Sequence, residues 1–268
     1  MSDFQRIRLG TSAFTAAGWA DAFYPAGLKP AEYLTYYATQ FDTVEIDSTF
    51  YRTPSASTVR GWYEKTPANF LFAAKVPQTI THELVLKDCE AEFKTFLATM
   101  DILGEKLGPL LLQFPYFNRK AFPTIEDFLA RFLPFLKQLP KGYRFVVEIR
   151  NKNWLVLPFI DALRERGVAL ALIDQAWMPR PAEWFKRIDP VTADFTYIRW
   201  LGDRKGIEER TKTWDRLIID RKAELREWAN VCWKINGRGI PIFAYANNHY
   251  AGFGPGTVRL FQELLANK

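Results

Sequence analysis

Residues 145–150 read FVVEIR, a short apolar run in which Glu148 and Arg150 alternate with Ile149 at the end. Seven other runs share this form, with a polar or charged residue near the end and, in most cases, a helix-like segment after it. In chain order the eight runs are IRLGTS (7–12), TVEIDS (43–48), FLFAAK (70–75), PLLLQF (109–114), FVVEIR (145–150), ALALID (169–174), TYIRWL (196–201) and IFAYANN (242–248). Eight β-then-α units predict an α/β fold, a single (β/α)8 barrel of the TIM type with eight parallel strands.

Length and composition agree with one such barrel. The chain has 268 residues, near the ~250 typical of the fold, and no Ser/Gly/Pro-rich linker divides it. We therefore expect one domain over residues 1–268. Cys89 and Cys232 are the only cysteines, far apart and outside any CxxC motif, which argues against a disulfide framework and a thiolate metal site. Neither an N-terminal apolar signal segment nor a run of 18 apolar residues occurs, so the expectation is a cytoplasmic protein without membrane contact.

The charge balance is basic. The net charge is +6 and the pI is about 9.2, which favours anionic partners, either phosphate-bearing small molecules or nucleic acid. Lys and Arg are scattered rather than clustered in runs. Aromatic residues make up 16% of the chain, and we expect most of them to pack between helices and barrel. None of these features predicts an oligomeric state.

Alternation along the strands predicts which side chains enter the barrel. Outward positions pack under helices and should be apolar, so Val147 and Ile149 point out while Glu148 and Arg150 point in. The same parity turns these residues inward: Arg8, Gly10, Ser12, Glu45, Asp47, Lys75, Gln113, Asp174, Tyr197, Arg199, Tyr245 and Asn247. With Arg150 and Glu148 included, four basic and four acidic groups face inward, and ions out of water must pair or bind a charged ligand. Arg8 and Glu45 lie further from the C-terminal ends of their strands, and we expect them to form internal ion pairs. The groups nearer the C-terminal strand ends are expected to be functional.

Two loops add further candidates. The only histidines, His82 and His249, follow the third and eighth strands, where acid/base or ligand roles are expected. The segment GFGPGT (252–257) precedes the last helix, and its glycine amides, with Arg199, Arg204 and Lys205, could bind a phosphate. A helix start that only needs flexible glycines explains the segment equally well. The phosphate-binding candidates are Gly252, Gly254 and Gly256.

Six motifs together resemble the YecE-like family, also known as domain of unknown function 72. They are GTSAFTAAGWADAFYPAGL (10–28), VEIDSTFYRTPS (44–55), FLFAAKVPQTITHE (70–83), LGPLLLQFP (107–115), VVEIRNKNW (146–154) and AYANNHYAGFGP (244–255). The resemblance implies a TIM-type barrel but no established reaction. It highlights Asp47, Ser48, Tyr51, Lys75, His82, Glu148, Arg150, Trp154, Asn247, Asn248, His249 and Tyr250. Asn151 stands where the family commonly has a histidine after Glu-x-Arg, so a role of that histidine does not transfer.

The resulting hypothesis is an enzyme that acts on a phosphate-bearing substrate, a small molecule or nucleic acid, as a hydrolase of phosphate esters. The catalytic candidates are Asp47, Glu148, Asp174 and His249. The substrate-binding candidates are Ser12, Tyr51, Lys75, His82, Gln113, Arg150, Arg199, Asn247 and Asn248. Among these, Lys75, Arg150 and Arg199 would neutralise phosphate, and the three carboxylates could hold Mg²⁺ or Mn²⁺ through oxygen.

Two alternatives stay open. A glycoside hydrolase would use a carboxylate pair, Glu148 with Asp47 or Asp174, at the separations that retaining or inverting enzymes need. A non-catalytic binding or interaction module would use the mouth as a ligand pocket and the charged loop 202–216 for docking. Mixed acidic and basic groups at a barrel mouth favour catalysis over binding alone.

Overall fold

Eight parallel strands form the centre of the structure, a computed structural model that describes residues 7–266. The strands are β1 (Ile7–Thr11), β2 (Thr43–Ile46), β3 (Leu71–Lys75), β4 (Leu107–Gln113), β5 (Phe145–Glu148), β6 (Ala169–Gln175), β7 (Thr196–Gly202) and β8 (Ile242–Ala246). Their order in the sheet is β1-β8-β7-β6-β5-β4-β3-β2, and neighbouring strands in this order are parallel. The predicted TIM-type barrel is therefore confirmed, with every predicted strand in place.

Helices follow the strands and cover the barrel. The α-helices are α1 (Tyr33–Gln40), α2 (Ala56–Glu64), α3 (Glu90–Met100), α4 (Ile125–Gln138), α5 (Leu157–Glu165), α6 (Pro181–Arg187), α7 (Arg204–Glu208), α8 (Lys222–Asn236), α9 (Asn248–Ala251) and α10 (Gly254–Ala266). Thr124 caps the N-terminus of α4: its hydroxyl accepts from the Asp127 amide, and the Asp127 carboxylate accepts from the Thr124 amide. Pairing these amides stabilises the first turn and sets where α4 begins.

A side chain closes the seam between β1 and β2. No backbone ladder joins these two strands in the part of the chain described, although their backbones approach closely enough that a Cβ on Gly10 would lie 2.1 Å from the Thr43 carbonyl oxygen. The Tyr37 hydroxyl of α1 bridges them. It accepts from the Thr11 amide at 2.8 Å and donates to the Thr43 carbonyl at 3.2 Å. The hydroxyl therefore satisfies one backbone group on each strand, as a ladder would.

Aromatic side chains fill both the lumen and the layer outside it. Inside, the rings of Tyr197 and Tyr245 lie 5.1 Å apart. Outside, Trp200 packs on Trp228 of α8 and on Phe261 of α10, with ring centroids 6.4 and 4.5 Å away. These buried aromatics confirm the packing role expected for most of them. No helix between residues 7 and 266 has both the length and the hydrophobicity needed to cross a membrane.

Candidate functional site

Arg199 on β7 is the centre of a sealed ion network in the lumen. One Nη donates to Glu148 at 2.6 Å and the other to Glu45 at 2.7 Å, and all three side chains are at most 1% exposed. Burial alone lowers the pKa of Arg199, but Glu45 and Glu148 outweigh it and raise the pKa, so the guanidinium stays charged. Tyr197 donates its hydroxyl to Glu45, and Gln113 accepts from Arg199 at 3.4 Å. The inward parity predicted for these strands is correct.

Above this network, two further cations reach the C-terminal mouth. Arg150, just after β5, donates through Nε to the second oxygen of Glu148 at 3.0 Å. Lys75, at the end of β3, pairs with Asp47 and lies 5.2 Å from the centre of the Phe50 ring. Burial raises the pKa of Glu148, but Arg199 and Arg150 outweigh it and hold the pKa below its usual value. Glu148 is therefore ionised at neutral pH and orients Arg150 toward the mouth.

His82 stands beside these cations. Its ring meets Phe50 edge-on at 4.9 Å, and its Nδ1 lies 2.9 Å from the Thr81 hydroxyl. Burial, followed by the nearby charges of Arg150 and Lys75, lowers the pKa of His82 to about 4. At neutral pH the side chain is thus an uncharged imidazole, able to donate from one nitrogen and accept at the other.

His249 is held by two acceptors on opposite sides of its ring. Asn247 Oδ1 accepts from the His249 amide at 2.9 Å and lies 2.6 Å from Nδ1, while Glu208 of α7 lies 3.0 Å from Nε2. Burial lowers the pKa of His249, against the opposing effect of Glu208. Because only the protonated ring can donate to both acceptors, the Glu208 contact strengthens as pH falls. Neither nitrogen is left to act on a substrate in this arrangement.

Two of these contacts were not predicted from the sequence. Glu208 and Trp214 both come from the charged loop 202–216, and Trp214 meets the His249 ring at 4.7 Å. The spacing of Arg204 and Glu208, four residues apart, indicates a helical turn, and the two do form an ion pair on α7. That spacing says nothing of His249, which is 41 residues further along.

The inward orientation predicted for Asp174 is wrong. Its carboxylate accepts from Trp228 Nε1 at 2.7 Å and from the Tyr250 hydroxyl at 2.9 Å, both outside the lumen. In the β6–β7 register, Asp174 is paired with Trp200, whereas Ile173 is paired with the inward Arg199. The strand is apolar on both faces before Asp174, so alternation could not distinguish inside from outside.

The glycine-rich loop has a packing role, and its predicted phosphate site is not supported. The Gly252 amide donates to the Asn248 carbonyl, and the Gly254 amide donates to the Asn248 side chain. Gly252 has φ +103°, and a Cβ there would lie 2.6 Å from Ile218. A Cβ on Gly256 would likewise lie 2.6 Å from the Phe253 ring. The amides of Gly252 and Gly254 are therefore not available to an anion.

The other predicted contact residues differ in their surroundings. Asn248 also accepts from Trp19 Nε1 at 3.2 Å, which ties the β8 loop to the β1 loop. The Ser12 hydroxyl oxygen is buried and has no hydrogen-bond partner among residues 7–266. Tyr51 is 65% exposed on the β2 loop. Asn151 binds both backbone groups of Phe117, at 2.9 and 2.8 Å, which gives this departure from the family pattern a structural role.

The carboxylates do not fit the predicted Mg²⁺ or Mn²⁺ site. Glu148 uses one oxygen for each of two arginines, Asp47 pairs with Lys75, and Asp174 faces away. In the described chain no three His, Cys, Asp or Glu side chains converge on a point where a metal ion could sit. The donors that remain free at the mouth are cationic N–H groups, which repel a metal ion and attract an anion.

Comparison with known proteins agrees with the barrel. A family model described as "Protein of unknown function DUF72" matches residues 8–268. The UPF0759 protein YecE of Escherichia coli K12 is 30% identical over 147 residues, and the match covers 53% of this chain and 52% of YecE. The match thus spans about half the length of this curated relative.

Two solved structures extend over nearly the whole chain. A DUF72 family protein from Thermotoga maritima MSB8 has a TM-score of 0.74 at 25% identity, covering 98% of this chain and 100% of that one. A DUF72 family protein from Enterococcus faecalis V583 has a TM-score of 0.69 at 22% identity, covering 97% of each. Both are described by family alone, so the comparisons give the architecture and no reaction.

Proposed function

Because the chain belongs to the family described as Protein of unknown function DUF72, whose name carries no activity, we propose a function from the site itself. We propose that the C-terminal mouth of the barrel binds a phosphate-bearing ligand through Lys75 and Arg150. The observation that carries the proposal is that both cations stand beside His82 at the C-terminal strand ends, and each has a single carboxylate partner in the described chain. A ligand entering the mouth therefore meets a positive potential.

Both cations keep donors that the protein does not use. An arginine has five N–H donors, and Arg150 directs only its Nε toward Glu148 among the described contacts, which leaves the four Nη hydrogens. Its side chain is 24% exposed, so these hydrogens are within reach of a ligand. The Lys75 ammonium has three donors and one carboxylate partner, Asp47. Arginine and lysine N–H groups at one mouth suit phosphate oxygens, which accept charge-assisted hydrogen bonds.

The depth of each charge explains why a neutral network presents a positive mouth. Glu45 and Glu148 are completely buried, and Arg199 between them offsets one of their two negative charges. Arg150 and Lys75 lie above this layer, with Asp47 as the carboxylate closest to solvent, 37% exposed. An approaching anion thus meets two cations and one exposed carboxylate, a local excess of one positive charge.

In an enzyme acting on a phosphate ester, His82 would take a proton from the water that attacks phosphorus, while the ester P–O bond breaks and the alcohol leaves as its oxyanion. His82 is uncharged at neutral pH because its pKa is about 4, and it lies beside the cations that would hold the phosphate. Carboxylates are less suited to this step. Glu148 is sealed by two arginines and Asp47 is paired with Lys75.

The ion pairs of Glu148 and Asp47 also affect the two alternative functions, a glycoside hydrolase and a non-catalytic binding module. A glycoside hydrolase needs one carboxyl group that donates a proton, and Glu148 cannot do so because arginines hold its pKa below the usual value. A non-catalytic binding module needs no free carboxylate and shares the ligand proposed here. Turnover therefore separates the enzyme from the binding module.

Calorimetric titration with pyrophosphate tests the proposal. Arg150→Met and Lys75→Gln should each weaken binding at least tenfold, since each removes a charge-assisted contact of about 1.5–3 kcal/mol. Lys94→Gln, on the exposed face of α3, is the matched control and should bind like the unmodified protein. Unchanged affinity in Arg150→Met would refute the proposed site.

A second assay addresses catalysis. With bis(p-nitrophenyl) phosphate as substrate, His82→Gln should lose turnover while it keeps pyrophosphate affinity. Binding without turnover in the unmodified protein would favour the non-catalytic module. Turnover that survives in His82→Gln would exclude this histidine as the proton acceptor.

A further inference from the structure

We infer that the phosphate-bearing ligand of this mouth is a single-stranded nucleic acid. Its bases would stack on Tyr116 and Trp177, and its phosphates would contact Arg150, Lys152 and the basic residues of the β4 loop. The inference rests on the proposed function and names the ligand class of the same site. It comes from the position of exposed aromatic side chains and from the charges beside them.

Exposed large hydrophobic side chains gather on the C-terminal face. Among the side chains whose burial the structure describes, they are Tyr51, Tyr116, Leu157, Trp177 and Leu217. Each follows the C-terminal end of a strand, namely β2, β4, β5, β6 and β7. Tyr116 is 65% exposed and Trp177 is 48% exposed, in a protein that buries most of its aromatic residues. Aromatic rings left open around one mouth indicate a ligand with flat faces to stack on them.

Tyr116 is presented from a rigid base. The next residue, Phe117, is 7% exposed, and its backbone N–H and C=O are both bound by the Asn151 side chain. The Phe117 ring stacks on Trp154, with centroids 5.8 Å apart and 22° between planes. These contacts fix the loop before any ligand arrives, so stacking on Tyr116 costs little ordering entropy.

Basic residues accompany these aromatics. The loops after β4, β5 and β6, at 114–124, 149–156 and 176–180, contain no Asp or Glu. Their basic residues are Arg119, Lys120, Arg150, Lys152 and Arg180. Arg180 is held by Asp174 and Glu227, whereas Arg119, Lys120 and Lys152 are exposed. Cations interleaved with open rings match a strand of alternating phosphates and bases.

The spacing favours a single strand. β5 lies between β4 and β6 in the sheet, so the ends of β4 and β6 are about 10 Å apart. The loop that carries Arg150 and Lys152 thus follows the strand between those that lead to Tyr116 and Trp177. In a single strand, a phosphate likewise lies between successive bases. In a duplex the base faces are already stacked on one another, and an oligosaccharide would stack without needing the cations.

Fluorescence anisotropy with three labelled probes of about 12 nucleotides tests the inference: oligothymidylate, an abasic strand of equal length, and a duplex. Oligothymidylate should bind at least tenfold more tightly than the abasic strand or the duplex. Tyr116→Ala should remove most of this preference, and Tyr116→Phe should restore it because the ring is kept. Arg150→Met should weaken oligothymidylate and the abasic strand alike.

Salt dependence supplies an independent measurement. Contacts to three phosphates predict a slope of about −2 for log K against log salt concentration, and Lys152→Gln should make it less steep by about 0.7. Lys141→Gln, on the loop before β5 at the opposite end of the barrel, should leave it unchanged. Equal affinity for the abasic strand, or tighter duplex binding, would overturn the inference while pyrophosphate binding upheld the proposed function. Failure of the unmodified protein to bind pyrophosphate would overturn both the proposed function and this inference.

Discussion

Replacing Arg199 by methionine should destabilise the protein more than any exposed-charge change. The substitution keeps an unbranched side chain but removes the cation between Glu45 and Glu148, both 0% exposed and 2.7 and 2.6 Å from the guanidinium. Breaking a buried ion pair costs about 3–5 kcal/mol because the remaining charge is left without compensation. Here two carboxylates lose their shared partner, so we expect a loss of at least about 4 kcal/mol. That is a large part of a stability of about 5–15 kcal/mol.

Urea denaturation at pH 7 measures this loss, and a fall in Tm of roughly 10 °C should accompany it. Arg164→Met is the matched control, since Arg164 and its partner Asp161 are 43% and 53% exposed, and it should cost less than about 1 kcal/mol. The triple change Glu45→Gln, Glu148→Gln, Arg199→Met should be more stable than Arg199→Met alone, because it removes the charges together.

Acid adds a second test of the same reasoning. The pKa of Glu148 is held below its usual value, so its contribution to stability is present above about pH 4.3 and is lost as pH falls through the folded pKa. Without Arg199, burial dominates and raises the pKa of this carboxyl. As the pH falls, Glu148 then becomes protonated in Arg199→Met, which removes an uncompensated buried charge. The difference in unfolding free energy between the variant and the unmodified protein should therefore narrow between pH 7 and pH 5. An Arg199→Met protein within about 1 kcal/mol of the unmodified protein at pH 7, or a gap that widens in acid, would refute the argument.

Three further predictions concern the seam, the mouth and the loop after β4. Tyr37→Phe should cost about 1–3 kcal/mol in urea denaturation and speed amide exchange at Thr11, because two backbone groups lose their partner. The imidazole of His82 should titrate by NMR near pH 4, and Lys75→Gln should raise that midpoint because a neighbouring charge is removed. Asn151→Ala should leave two backbone groups of the β4 loop unpaired, cost about 1–3 kcal/mol and expose that loop to limited proteolysis.

The barrel could be predicted from the sequence because the same strand pattern occurs eight times. Each strand carries the same apolar run, and helix signals such as the Thr124 cap recur between runs, so an error in one unit leaves the whole unaffected. The lumen was predictable where strands alternate polar with apolar, as around Glu148 and Arg199. On β6 both faces are apolar, and there the parity of Asp174 was assigned wrongly.

Contacts between loops that are distant in the chain could not be predicted from the sequence. Glu208 reaches His249 only because α7 and the β8 loop meet above the barrel, and no periodicity reports such a meeting. The amides of Gly252 and Gly254 were predicted to face a ligand equally with an internal role, and only the position of Asn248 decides between the two. The catalytic role predicted for Asp47 remains a prediction.

The Tyr37 bridge has a consequence for how chains of this protein meet one another. A barrel opened between β1 and β2 becomes a curved sheet with two free edges, and free edges recruit strands from neighbouring molecules. One hydroxyl that occupies a backbone group on each strand therefore caps both edges at once. Loss of that hydroxyl would appear first as a tendency to self-associate at high protein concentration, well before the barrel unfolds.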